Sequence, residues 1–75
     1  MIILKADLIS VNPDQTIVVE LAPKQKANPK LITAKLKDVD DYMFVRKHQS
    51  SLYRLELRGH FINATTMDVE HVRVC

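Results

Sequence analysis

The lysines are concentrated in one part of the chain, where their ammonium groups could bind phosphates. No acidic residue lies between Glu20 and Asp38. This segment carries Lys24, Lys26, Lys30, Lys35 and Lys37. Ammonium groups in such a row release counterions from a nucleic acid and can follow its backbone. The segment predicts a nucleic-acid-binding surface, but a solvated loop and a lysine-protected edge strand would give the same pattern.

A second group of charges lies near the end of the sequence. Arg54, Glu56 and Arg58 alternate with apolar residues, and Arg73 follows in the last predicted strand. Opposite charges on neighbouring strands form weak ion pairs. Arginine is also enriched where proteins dock onto one another. These four residues are our candidate protein interface, and the sequence alone does not separate docking from simple ion pairing.

Aromatic side chains could bind bases by stacking, provided that their faces are exposed. Tyr53 alternates with Leu55 and Leu57, which indicates that it belongs to the core. Only Tyr42 and Phe44 are candidates for exposure. Because a stacking surface needs several exposed rings, the aromatic residues favour a core role over base binding.

Metal binding and catalysis find little support. The histidines and the single cysteine are His48, His60, His71 and Cys75. On a strand, His71 and Cys75 would lie about 13 Å apart, too far for one zinc ion. One glycine is too few for a phosphate-binding loop, and no nucleophile motif accompanies His48. We predict no metal, no cofactor and no enzymatic activity.

Length and composition indicate one small globular domain spanning residues 1–75. The chain is 47% hydrophobic and 27% charged, with a net charge of +2, which is modest for a nucleic-acid-binding protein. A chain this short buries only about 60–65% of its unfolded surface, so a partner or self-association would stabilise it. No apolar run is long enough to span a membrane. Lys5 and Asp7 interrupt the apolar start, unlike a signal peptide, and a single cysteine suits the cytoplasm.

Alternation of apolar and polar residues predicts the strands that position these groups. Predicted strands are residues 2–9, 16–21, 31–36, 52–58 and 68–75. The turn sequence 12–15 joins the first two into a hairpin, and Gly59 is expected to end the fourth. Along the last strand we expect Glu70, Val72 and Val74 on one side and Val69, His71, Arg73 and Cys75 on the other.

Residues 39–48 fit two structures. As a helix, Asp38 would be the N-cap, acidic residues would occupy the first turn and basic residues the last. Its shared face would then be Val39, Tyr42, Met43 and Arg46. As a strand, the run Tyr42 to Val45 favours β structure. The sequence leaves both open.

The fold class follows from this choice. With a helix near residues 39–48, the order of elements is that of a five-stranded OB-type barrel. With a strand, a six-stranded meander or SH3-like barrel results. Both are mainly β, as a sheet or a partly open barrel.

We expect a non-catalytic protein-interaction module, such as an adaptor, an inhibitor or an assembly subunit. Chains of this size often have such roles, including those carried by phages and plasmids. The partner would be a larger protein or a second copy. The alternative is a small barrel that binds nucleic acid through Lys24–Lys37.

Overall fold

Five strands and one helix follow one another along the chain, and the five strands come in the order that alternation predicts. The computed structural model describes residues 1–21, 30–51 and 54–74. The elements are β1 (Ile2–Val11), β2 (Thr16–Leu21), β3 (Lys30–Leu36), α1 (Val39–His48), β4 (Arg54–Phe61) and β5 (Thr66–Val74). The prediction of a mainly β chain is confirmed. Lys24, Lys26, Tyr53 and Cys75 lie outside the described residues.

The strands close into a barrel in the order β1-β2-β3-β5-β4, with β4 pairing back to β1. All neighbours are antiparallel except β3 and β5, which run parallel. A parallel pair needs a crossover, and here the crossover contains α1 and β4. This is the helix-containing, OB-type order of the two predicted. The barrel closes although the chain contains one glycine, whereas curved sheets usually use several glycines at bends and bulges.

The β1–β2 hairpin forms at the predicted turn sequence, residues 12–15. Asn12 donates its backbone N–H to the carbonyl of Thr16, at 2.9 Å. Gln15 has a φ of 66°, in the left-handed region that commonly closes short hairpin loops. Its carbonyl accepts the N–H of Leu36, so the loop also holds the end of β3.

Residues 39–48 form the helix α1, with the predicted cap and charge distribution. Asp38 accepts the N–H of Asp40 at 2.8 Å, and Asp40 and Asp41 occupy the first turn. Basic residues occupy the last turn, where they oppose the partial negative charge of the helix end. The strand alternative for this segment is therefore wrong.

The buried side of α1 differs from the predicted one. Tyr42 and Val45 are buried, whereas Val39 and Met43 are about half exposed. The Tyr42 hydroxyl donates to the carbonyl of Asn12 in the β1–β2 loop. This contact orients the helix so that Tyr42 and Val45 pack onto the barrel, whereas Val39 and Met43 do not.

Alternate residues of the strands fill the barrel. Ile17, Ile32, Leu55, Leu57 and Met67 are fully buried. They come from four different strands, as the alternation predicts. Their outward neighbours include the polar residues that make up the candidate sites.

Gly59 lies inside β4, and the prediction that it ends the strand is wrong. The strand continues to Phe61, and Gly59 pairs with Val69 of β5. A Cβ atom placed on Gly59 would lie 1.8 Å from the carbonyl oxygen of Asp68. Only glycine allows the two backbones to approach so closely.

A β-bulge opposite Gly59 changes which residues of β5 face the core and which face outward. The register shifts between Arg58 and Gly59, so Val69 pairs with Gly59 and His71 with Arg58, leaving Glu70 as the extra residue. Val69 is buried and Val72 packs against the core, whereas His71 is exposed. Strict alternation in the last strand, which would separate Val69 from Val72, is therefore wrong.

Candidate functional site

The structure separates the predicted phosphate-binding lysines. Lys30 begins β3, while Lys35 and Lys37 lie at its other end, and all three are exposed. Lys30 and Lys35 are five positions apart, so they lie about 17 Å from each other and alternate to different sides of the strand. Lys35 lies opposite Asp68 of β5. The described lysines therefore form no continuous basic row.

The outer side of β2 and β3 is where OB-type barrels bind oligonucleotides, between the β1–β2 and β4–β5 loops. Both loops flank β3 here, because Gln15 accepts from Leu36 and Thr65 accepts from Thr33. The outward residues are Val18, Glu20, Leu31, Thr33 and Lys35. This side carries no aromatic ring among the described residues, and its outward residues include one acid, Glu20, and one base, Lys35. Base stacking, which contributes about 1–3 kcal/mol per base on such surfaces, has no support among the described residues.

The candidate interface residues Arg54, Glu56, Arg58 and Arg73 all lie on one outer surface formed by β1, β4 and β5, which we call the charged face. Arg54 lies opposite Asp7, and its Nε is 3.2 Å from the carboxylate. Glu56 lies between Lys5 of β1 and Arg73 of β5. The strand registers therefore place these four residues on one outer surface.

A cleft lies where the charged face meets α1. It is a cavity of about 310 Å³ lined by Asp41, Arg58, His71, Val72 and Arg73. We call it the α1–β5 cleft. Arg58 and His71 are direct cross-strand partners, and Arg73 follows two residues later on the same side of β5. Three basic side chains from two strands therefore line one cavity, together with the carboxylate of Asp41.

Hydrogen bonds order the walls of the α1–β5 cleft. Asp41 accepts the backbone N–H of Val72 at 3.3 Å, which ties the helix to β5. Glu56 accepts from the Nε of Arg58 at 3.4 Å. Arg73 is in neither of the two ion pairs that the described residues form. The cleft thus presents one positioned guanidinium, one exposed guanidinium and an exposed imidazole.

Sequence reasoning missed two residues of the cleft. The sequence presents His71 as a strand residue and possible metal ligand, and Asp41 as a charge at the start of a helix, but it places neither in a cleft. Both depend on tertiary structure: the β-bulge turns His71 outward beside Arg58, and the packing of Tyr42 brings Asp41 to β5. A glycine within a strand pattern is the one signal of the bulge that the sequence carries.

Metal ligands do not assemble in the described residues, where no three His, Cys, Asp or Glu side chains form a group able to hold an ion. The helix α1 has ten residues, too few to cross a membrane, and no other helix among the described residues is long and apolar enough to do so.

Comparisons with protein-family models, with curated proteins and with solved structures gave no match.

Proposed function

We propose that this chain is a small, non-catalytic protein-interaction module that binds an acidic segment of a larger protein. The observation that carries the proposal is the α1–β5 cleft, in which Arg58, His71 and Arg73 surround one cavity. Guanidinium groups bind carboxylates through two parallel hydrogen bonds, which gives orientation as well as affinity. An adaptor, an inhibitor or an assembly subunit would use such a site. A cytoplasmic location belongs to the proposal, because a single cysteine suits a reducing compartment.

The backbone next to the cleft supports an extended ligand. β3 pairs with β5 only as far as Leu36 and Val69, so residues 70–74 have a strand neighbour on one side only within the described chain. An exposed strand edge can take up a further strand from a partner. Asp41 already occupies the N–H of Val72. A ligand strand would therefore lie along the outer part of this edge, with its carboxylates toward Arg58 and Arg73.

Nucleic-acid binding through the Lys24–Lys37 segment is the second candidate. It is favoured by the OB-type strand order and by the exposure of Lys30, Lys35 and Lys37. The absence of aromatic rings on the described β2–β3 surface and the distance between Lys30 and Lys35 weaken it. Because the two candidates use different residues and different ligands, one experiment distinguishes them.

The experiment measures fluorescence anisotropy with two labelled probes, at low and physiological salt. One probe is a peptide of about ten residues that alternates Glu with Thr or Val, long enough to span the strand edge. The other is an oligo(dT) single strand of similar length. The proteins compared are wild type, Arg58→Gln/Arg73→Gln and Lys30→Gln/Lys35→Gln. Both double variants remove two positive charges, so each controls for net charge in the other.

The protein-interaction proposal predicts peptide binding that weakens with salt and is selectively lost in the arginine variant. Losing two partly exposed charge contacts of about 0.5–1 kcal/mol each lowers affinity roughly five- to thirtyfold. The lysine variant should bind the peptide like wild type. Oligonucleotide binding that only the lysine variant loses would favour the second candidate instead. No peptide binding at low salt, or equal losses in both variants, would contradict the proposed function.

A further inference from the structure

The outward side of α1 carries an apolar surface that the barrel does not cover. Val39, Met43 and Phe44 are 54%, 51% and 46% exposed. A cavity of about 560 Å³ lies against this side, with Met43, Phe44 and Lys47 among its lining residues. The helix is held in place from its other side, by Tyr42 at Asn12 and by Asp41 at Val72. Its exposed surface is therefore a fixed feature of the fold.

Four residues at helical spacing form the centre of this surface, which we call the α1 stripe: Asp40, Met43, Phe44 and Lys47. At 100° per residue, Asp40 and Lys47 point almost directly away from the buried pair Tyr42 and Val45. Met43 and Phe44 lie to either side between them. The ring of Phe44 packs against His48 with centroids 4.7 Å apart, which restricts its rotation. The stripe thus has an acidic end, an ordered apolar centre and a basic end.

The α1 stripe is complementary to itself. Asp40 and Lys47 lie equally far from the midpoint between Met43 and Phe44, on opposite sides of it. A second helix placed antiparallel about a twofold axis at that midpoint brings each Asp40 against a Lys47. The same rotation places the two Phe44 side chains together and the two Met43 side chains together. Neither Asp40 nor Lys47 takes part in the ion pairs found among the described residues.

We propose that the α1 stripe binds a second copy of this chain, forming an antiparallel, twofold-symmetric helix pair. Charge complementarity favours this partner, because the negative Asp40 and the positive Lys47 of one copy lie opposite the Lys47 and Asp40 of the other. A ten-residue helix is about 15 Å long and about 10 Å wide, so the contact is well below the size of a standard stable interface and belongs with weak, transient contacts. We expect a weak dimer that forms in the micromolar range or above. The α1–β5 cleft uses other side chains, so the dimer does not depend on the proposed function.

The test is sedimentation velocity across a range of concentrations, with two single charge reversals and their mixture. Asp40→Lys alone places lysine against lysine, and Lys47→Asp alone places aspartate against aspartate, twice in each dimer. Each variant should dimerise roughly tenfold more weakly than wild type. In an equal mixture, every lysine faces an aspartate, so the heterodimer should form. Circular dichroism checks that each variant is folded.

The mixture separates the proposed register from a general loss of stability. Recovery of dimer only on mixing supports the helix pair. A wild type that stays monomeric at millimolar concentration would overturn it, and so would single variants that dimerise like wild type or a mixture that does not recover. Should a reversal at the helix ends unfold the chain, Met43→Gln is the substitute: it lies mid-helix, is half exposed and should also weaken the dimer.

Discussion

Gly59 should tolerate no side chain, although alanine adds only one methyl group. In Gly59→Ala the new Cβ atom would lie 1.8 Å from the carbonyl oxygen of Asp68, 2.9 Å from its carbonyl carbon and 2.9 Å from the Cα of Val69. All three are backbone atoms, so no flexible side chain can move aside. The β4 and β5 backbones must separate at the bulge, and their neighbouring hydrogen bonds must lengthen or break.

The size of the effect follows from these contacts. Inserting a carbon into a well-packed site costs about 1–3 kcal/mol, and a clash with backbone belongs at the upper end of that range. A domain of this length has a free energy of unfolding of about 4–11 kcal/mol. A loss of about 3 kcal/mol therefore removes a large part of the stability and lowers the Tm by about 12–24 °C.

The assay is urea unfolding followed by far-UV circular dichroism, together with a thermal melt. His60→Ala is the matched control, because His60 is the next residue of β4 and its side chain is exposed. A change at that position should stay within about 0.5 kcal/mol. If Gly59→Ala is as stable as His60→Ala, the close approach of β4 to Asp68 does not exist in solution and the bulge geometry is wrong.

Two further predictions concern the attachment and the start of α1. Tyr42→Phe removes the hydroxyl that donates to the carbonyl of Asn12, and we expect a loss of about 1–2 kcal/mol in urea unfolding because this part-buried hydrogen bond is lost. An unchanged midpoint would show that the hydroxyl does not attach the helix. Asp38→Ala removes the side chain that accepts the N–H of Asp40, and the Tm should fall by about 4–8 °C for a loss of about 1 kcal/mol. Asp38→Asn, which keeps a capping oxygen, should retain most of that stability.

The strands could be predicted because they depend on local patterns, whereas the barrel order follows only once residues 39–48 are known to form a helix. Inward residues such as Ile17, Ile32 and Leu57 belong to strands in which every second residue is apolar. Each such apolar face must pack against other strands to be buried. The helix could not be assigned because its run Tyr42 to Val45 suits either structure. Its attachment depends on a contact with Asn12, which lies 30 positions away in the sequence. No local pattern records a contact of that kind.

The two charged regions differ in how far the sequence could predict them. Arg54, Glu56 and Arg58 alternate on one strand, so their common surface follows from local geometry alone. The lysine segment appears continuous in sequence, but β3 places Lys30 and Lys35 at opposite ends of a strand. Spacing along a sequence indicates a surface only where the period of the secondary structure is known.

The bulge at Gly59 connects the stability of the barrel with the candidate site. If β5 alternated strictly from the buried Met67 and Val69, His71 and Arg73 would face the interior and Val72 would face outward. The extra residue, Glu70, reverses this order, so Val72 packs against the core and the two basic side chains reach the surface beside Arg58. The extra residue fits because Gly59 lets the strands approach at that point. The α1–β5 cleft therefore depends on the one glycine of the chain, even though Gly59 does not line it.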